Sequence, residues 1–214
     1  MMVVLIDILR SSCMMSPGFE KETGMKVSRE QVALNRERIV ETAARLFREK
    51  GYDGIGVADL MKSAGLTHGG FYGHFASKED LLAEAAAHAL KKSVQRWEGY
   101  LSEGRDTALE KISDGYLSRQ HCQHPEKGCS VTALGADIAR LGPKARHALT
   151  EGACGQMAVL EQLMPGADPA ARRRLALATY ASMVGAIVLA RAVDDEALSA
   201  EILQAVQQSL PAGS

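Results

Sequence analysis

Apolar residues in the first half of the chain recur at intervals of three and four, the spacing of one face of an α-helix. The first segment with this pattern runs from residue 31 to residue 50, and Gly51 directly after it is a typical helix-ending residue. Its apolar positions are Leu34, Ile39, Ala43, Leu46 and Phe47. No proline stands between residues 18 and 124, so none removes a backbone donor from these helices.

Two short helical segments and one long helix are predicted to follow. The first covers residues 57–64 and ends at Gly65, and the second opens at Thr67, a good N-cap residue. Ser77 and Asp80 form a capping-box pattern, in which a side chain accepts the hydrogen bond of a free backbone N–H at the helix start. This pattern opens a long helix with apolar positions at Leu81, Leu82, Ala85, Leu90, Val94 and Trp97.

The second half of the chain is also helical in pattern. Candidate helices cover residues 107–119, 131–141, 144–163 and 170–193, and a last one is capped by Asp194 or Asp195. No segment alternates as a strand does, and no internal repeat is present. Apolar residues make up 46% of the chain and aromatic residues only 5%, which favours helices over sheets. The predicted fold class is all-α.

The turn and capping residues between these segments divide the chain into three parts. Residues 1–25 are predicted to be an extension, either a wrongly assigned start of the protein or a genuine short helix or flexible arm. Residues 26–78 are predicted to form one helical domain, and residues 79–214 a second. Residues 175–190 carry no charge but are too short for a typical membrane span. They predict a buried helix of a soluble protein.

Residues 57–75 have the organisation of a helix-turn-helix. This motif needs two short helices joined by a tight turn with a small residue, so that the second helix enters the major groove of DNA. Ala64 is small enough for the helices to cross, and Gly65 readily takes a left-handed turn conformation. Leu66, Phe71 and Phe75 are expected to anchor the second helix in the core.

The same region resembles the TetR/AcrR family of bacterial transcriptional regulators across roughly residues 30–90. The matching residues are Arg38-Ile39, Ala43-Ala44, Leu46-Phe47, Gly51-Tyr52, Asp59-Leu60, Ala64-Gly65-Leu66-Thr67 and the run from Phe71 to Leu82. The resemblance implies that residues 26–78 form a three-helix DNA-binding domain with a helix-turn-helix. A long fourth helix then joins it to a helical effector-binding and dimerisation domain in residues 79–214.

Eight residues are predicted to contact DNA. Thr67, His68 and Gly70 open the recognition helix and are expected to face base edges. The other five are expected to contact phosphates, which set the register rather than read the sequence. Tyr72, His74 and Lys78 match the family's phosphate-contacting positions, and Arg36 and Arg38 are candidates from the first helix.

The charge of the chain is compatible with a local DNA-binding surface. The net charge is only −1, which excludes a global basic field. Residues 26–78 nevertheless hold nine Lys and Arg against six Asp and Glu, so the positive end lies where phosphates are expected.

The cysteines and histidines give no strong sign of catalysis or metal binding. Four possible metal ligands occur between His121 and Cys129, but without the paired spacing of zinc sites, so we interpret this segment as a connecting loop. Cys129 is expected to be a buried residue at a helix start. Since helix N-termini favour thiolates, sensing of oxidants or electrophiles is an alternative role. The sequence predicts no catalytic residue, no metal site and no cofactor.

The predicted function is a cytoplasmic, homodimeric repressor that leaves a palindromic double-stranded DNA operator when a small molecule binds. Trp97, Tyr116, Cys129 and Met157 are the candidate effector-binding residues. An activator of the same fold, or a redox or electrophile sensor acting through Cys129, is the alternative within this class. Outside it, the alternative is a helical ligand-binding protein whose helix-turn-helix is vestigial. No interaction with a membrane is predicted.

Overall fold

The computed structural model describes residues 28–211, which form only helices and their connections. The α-helices are α1 (Arg29–Lys50), α2 (Val57–Ser63), α3 (Lys78–Glu103), α4 (Arg105–Tyr116), α5 (Arg119–Gln123), α6 (Ser130–Ile138), α7 (Pro143–Leu163), α8 (Pro169–Ala192) and α9 (Glu196–Ser209). Two 3-10 helices, His68–Gly73 and Pro125–Lys127, lie between them. The all-α prediction is therefore confirmed. The extension predicted for residues 1–25 lies outside the described residues.

The first core forms where α1, α2 and the start of α3 meet. Phe47, Leu60 and Phe71 are almost fully buried there, as the periodicity of the sequence predicts. The same cluster includes Leu134 and Ile138 of α6. The N-terminal domain of residues 28–78, here named the head, is therefore closed on one side by the C-terminal part of the chain.

The turn between α2 and the next segment has the geometry that its glycine predicts. Gly65 has a φ of +69°, and the N–H of Leu66 donates to the carbonyl oxygen of Met61 over 2.9 Å. The segment after the turn differs from the expected α-helix, because His68–Gly73 is a 3-10 helix. Three of its six residues are glycines, which stabilise an α-helix poorly.

The connection before Cys129 is more structured than a loop. Residues 119–123 form α5, and residues 125–127 form the short 3-10 turn that leads to Gly128. A Cβ at Gly128 would lie 2.5 Å from His121 Nε2, so this close packing of the turn requires a glycine.

Helix α8 is only partly buried, in contrast to the buried helix predicted for residues 175–190. It is the one helix of residues 28–211 that is long and apolar enough to cross a membrane, and 39% of its most apolar stretch is buried. Buried Ala176, Tyr180 and Met183 line its inner side. Leu177 and Leu189 are exposed.

Helix α3 packs closely along α7. A Cβ at Gly152 would lie 2.5 Å from Leu90 Cβ, and one at Gly155 would lie 3.0 Å from Val94 Cγ2. Beside these contacts, Gln156 Nε2 donates to Ser93 Oγ over 3.0 Å, with Gln156 fully buried. Residues 90, 93 and 94 share one face of α3, and residues 152, 155 and 156 share one face of α7.

We predict that Gly152→Ala lowers the free energy of unfolding by about 1–3 kcal/mol, because the new methyl group meets the Leu90 side chain. The matched control is Gly99→Ala in α3, where a Cβ meets nothing within 4 Å. This second substitution should raise stability by up to ~1 kcal/mol through helix propensity. Urea unfolding followed by circular dichroism measures both. Equal effects of the two alanines would contradict the close packing.

Candidate DNA interface and ligand cavity

The 3-10 helix His68–Gly73, here named the recognition segment, presents its polar residues to solvent. Thr67, His68, Gly70 and Tyr72 are all exposed, and 69% of the Tyr72 surface is accessible. Phe71 fixes the segment from below, because its ring is fully buried and lies 5.8 Å from that of Phe75. Tyr72 is therefore accessible to a binding partner, while its buried neighbour Phe71 holds the segment in place.

His74 and Lys78 lie at the C-terminal end of the same surface, and both are half-buried. His74 Nδ1 is buried without a hydrogen-bond partner among residues 28–211. The Lys78 ammonium lies 4.3 Å from the centre of the Tyr52 ring. This cation–π contact holds Lys78 at the start of α3, next to the recognition segment.

The two arginines predicted from the first helix differ in their surroundings. Arg36 forms a bidentate ion pair with Glu84 of α3, and its guanidinium carbon lies 4.7 Å from the centre of the Phe75 ring. A phosphate would therefore have to compete with Glu84 for Arg36. Arg38 is exposed and bonds only Asn35 Oδ1, at 3.1 Å. Of the two, Arg38 is the better placed to contact DNA.

A cavity of about 240 Å³ opens between α3, α4 and the turn that precedes Cys129. Trp97, Tyr116 and Cys129 line it together, although they are distant in sequence. Met157, the fourth predicted effector residue, packs half-buried against the second core and does not line this cavity. The indole and phenol rings of Trp97 and Tyr116 meet edge to face, with their centres 6.0 Å apart.

His121 forms part of the cavity wall as a neutral side chain. Its Nδ1–H donates to the Tyr116 carbonyl oxygen over 2.6 Å, and its Nε2 accepts the N–H of Cys129 over 3.0 Å. Burial lowers the pKa of His121 from 6.5 to about 4. Because both ring nitrogens form hydrogen bonds, neither is left to bind a metal ion. Within residues 28–211 no group of three His, Cys, Asp or Glu side chains is placed to hold one.

Cys129 caps the N-terminus of α6 and is buried beside a polar network. Its sulfur lies 3.8 Å from Gln156 Oε1 and 4.0 Å from Tyr180 Oη. Tyr180 Oη donates to the same Gln156 oxygen over 2.7 Å. The predicted position at a helix start is confirmed, whereas sensing of oxidants or electrophiles by this thiol stays a prediction.

The cavity wall is bonded directly to the head. Arg48, near the end of α1, donates from Nη2 and Nε to the Glu126 carbonyl oxygen, over 2.6 and 3.1 Å. Glu126 directly precedes Lys127 and Gly128, which line the cavity. On the other side of this turn, Arg191 of α8 donates to the carbonyl oxygens of His121 and Cys122.

Residues 39–85 match the family model of the bacterial regulatory proteins of the tetR family. The chain is 30% identical over 132 residues to the transcriptional repressor NemR of Escherichia coli K12, an alignment that spans 60% of this chain and 66% of NemR. The reduced form of E. coli NemR superposes with a TM-score of 0.69 at 26% identity, covering 83% of this chain and 98% of that structure. A TetR transcriptional regulator from Chloroflexus aurantiacus superposes with a TM-score of 0.68 at 26% identity, covering 85% of this chain and 94% of that structure.

The chain belongs to the TetR family of bacterial transcriptional regulators. The prediction of a ligand-responsive, DNA-binding transcriptional regulator is thereby confirmed at the level of the TetR family. The family model covers the recognition segment, and DNA binding by the exposed face of that segment stays a prediction. The individual DNA contacts predicted for this chain stay predictions.

Sequence reasoning missed the cations that line the cavity. Arg96, Lys111 and Lys127 line it, and they come from α3, α4 and the turn after α5. The helical spacing places Arg96 and Trp97 side by side, but no sequence signal shows which of them faces inward. His121 was visible in the sequence as a possible metal ligand, and its role as a wall residue emerges only from its two hydrogen bonds.

We predict that the stability of the protein falls as the pH is lowered from about 6.5 towards 4, because His121 takes up a proton in the unfolded chain well before the folded one. For this residue alone, the loss at pH 5 relative to pH 8 is about 2 kcal/mol. The measurement is the free energy of unfolding at both pH values, for the wild type and for His121→Gln.

The variant should lose that part of the pH dependence, although it starts less stable. His147→Gln is the matched control, since His147 is exposed on α7. An unchanged pH dependence in His121→Gln would show that the imidazole is not held neutral.

Proposed function

We propose that this protein is a homodimeric transcriptional repressor of the bacterial cytoplasm that leaves a palindromic operator when a small molecule binds its cavity. The observation that carries the proposal is the bond from Arg48 of the DNA-binding head to the Glu126 carbonyl oxygen in the cavity wall. It gives ligand binding a direct mechanical connection to the head. The name of the relative NemR, a transcriptional repressor, supports repression rather than activation.

The coupling runs through two connections between the cavity and the head. One is the turn of residues 125–128, which contacts Arg48 at the end of α1. The other is α3 itself, because Trp97 of the cavity and Lys78 beside the recognition segment lie on the same helix. A ligand that displaces Trp97 or Lys127 therefore changes the direction of the head relative to the C-terminal domain. An effector acts in this way only if it binds the two arrangements with different affinity.

The dimer interface is proposed on α8 and α9. Large apolar side chains are exposed on these two helices, although apolar side chains usually find a partner surface when they cluster. They are Leu177, Val188, Leu189 and Leu198. Pairing of this face with a second copy would cover them in a four-helix arrangement and set two recognition segments about 34–36 Å apart, one helical turn of DNA.

We predict that the protein selects specific DNA through its recognition segment. Binding is measured by fluorescence anisotropy with DNA upstream of its own gene, with scrambled DNA and with sequences selected from random DNA, at two salt concentrations. Thr67→Ala should weaken operator binding by about 1–3 kcal/mol and relax the choice of one base pair. Lys78→Gln should weaken binding to all sequences. It should also reduce the slope of the logarithm of the binding constant against the logarithm of the salt concentration by about one.

Lys91→Gln is the control, because Lys91 is an exposed cation of α3 that lies beyond the recognition segment. If selection from random DNA yields no preferred sequence, the helix-turn-helix is vestigial and the proposal is wrong. Stimulation of transcription from the selected operator would identify an activator instead of a repressor.

We predict that Leu189→Glu converts the dimer to a monomer in sedimentation equilibrium, since a buried charge without a partner opposes association. The control is Leu34→Glu on α1, because Leu34 is 53% exposed and Leu189 is 56% exposed. This substitution should leave the dimer intact. A wild-type monomer, or dissociation by both substitutions alike, would contradict the interface on α8 and α9.

A further inference from the structure

We infer that the ligand of this cavity is a small organic anion, a carboxylate with a compact apolar body. The inference rests on the proposed function of the cavity as the effector site and specifies the chemistry of the effector. Three features carry it: the charges around the opening, a buried hydroxyl group without a partner, and the size and aromatic lining of the space.

The charged side chains that line the cavity are all positive. Arg96, Lys111 and Lys127 contribute three cations, and no Asp or Glu lines the cavity. Lys111 pairs with Glu103 over 2.8 Å. No carboxylate of residues 28–211 forms an ion pair with Arg96 or Lys127. Those two side chains are therefore available to bind an anion at the opening.

The surroundings add to the positive potential. A second cavity on the other side of Lys127 and Gly128 shares Arg96 and adds Arg45, Arg48 and Lys92. Arg45 pairs with Glu49 over 3.1 Å and Lys92 with Glu41 over 2.8 Å, so Arg48 is the added cation without a carboxylate partner among residues 28–211; the Glu126 side chain faces His124. His121 is neutral and contributes no charge. Positive charge on both faces of one turn favours an anionic ligand.

The hydroxyl group of Tyr116 is buried in the cavity wall near the Cys129 thiol, and no nitrogen or oxygen of residues 28–211 is its hydrogen-bond partner. Only 6% of Tyr116 is exposed, and burial holds its pKa well above the usual value, so the group stays protonated and can donate. A buried donor without an acceptor costs free energy. A ligand oxygen is the acceptor that would remove this cost, and it would orient the ligand inside the cavity.

The dimensions favour an organic anion over an inorganic one. About 240 Å³ would hold roughly eight water molecules at about 30 Å³ each, or an organic molecule of roughly ten non-hydrogen atoms. Trp97, Tyr116 and Ile112 provide the apolar and aromatic wall for its body. Benzoate and phenylacetate have this size, a flat ring and one carboxylate.

The test is a titration of the full-length dimer with benzoate and phenylacetate, each compared with its uncharged amide, and with the cation benzamidine. Trp97 is the single tryptophan of the chain and lines the cavity, so its fluorescence reports occupancy without a label. We expect saturable quenching by at least one carboxylate, at least tenfold tighter than by its amide, and no saturable effect of benzamidine. No saturable quenching by either carboxylate at millimolar concentration would overturn the inference, as would equal affinity for acid and amide.

The variants locate the interaction. Arg96→Gln and Lys127→Gln should each weaken carboxylate binding about five- to tenfold, and together they should remove the preference over the amide. Tyr116→Phe should weaken binding about fivefold without lowering the thermal stability of the ligand-free protein, because it removes an unpartnered donor. Lys91→Gln is the control for loss of a positive charge on α3 and should bind as the wild type. Equal weakening by Lys91→Gln would reduce the effect to general electrostatics and overturn the site.

Operator release is measured in parallel and separates this inference from the proposed function. Carboxylate binding without operator release supports the anion site and contradicts its role as the effector site.

Discussion

The close packing of α3 against α7 is the interaction on which the rest of the structure depends. Gly152 and Gly155 remove the side chains that would otherwise separate the helices, and the Ser93–Gln156 hydrogen bond directly after Gly155 fixes their register. Because α3 carries Lys78 at one end and Trp97 near the other, this packing sets the distance between the DNA-binding surface and the ligand cavity. A change in the cavity that tilts α3 must either break that register or move α7 with it.

The turn of residues 125–128 gives the cavity a second and shorter connection to the head. Arg48 is largely buried, and burial lowers its pKa, so its bonds to the Glu126 carbonyl oxygen compensate for a desolvated cation. Breaking one side of such an arrangement is costly, since the charge remains buried without a partner. The turn is therefore expected to move together with the end of α1 rather than away from it. Two connections of different lengths favour a rotation of the head over a simple shift.

The parts of this fold that could be predicted from the sequence are those encoded locally. The helical periodicity, the Ser77 cap and the left-handed Gly65 depend on neighbours a few residues away, and the structure agrees with each of them. The 3-10 form of the recognition segment was missed because the spacing of Phe71 and Phe75 fits an α-helix, whereas its three glycines stabilise that form poorly. The ion pair of Arg36 spans 48 residues to Glu84, and the cavity cations come from separate elements, so no pattern along the chain could show them.

Six buried polar side-chain atoms of the described residues have no hydrogen-bond partner, and three of them lie at or near the cavity. Tyr116 Oη lies in the cavity wall, Ser130 Oγ lies in α6, and Arg48 Nη1 belongs to the guanidinium that bonds the turn before Cys129; the other three are on His74, His88 and Gln207. Each unmet bond costs on the order of 1–3 kcal/mol, which a rigid structural core would not retain in one place. A region with unmet bonds is one whose free energy falls most when a ligand or a rearrangement provides partners. A state that provides partners for Tyr116 Oη, Ser130 Oγ and Arg48 Nη1 is stabilised relative to the ligand-free one, and such a differential free energy between two states is what an allosteric response requires.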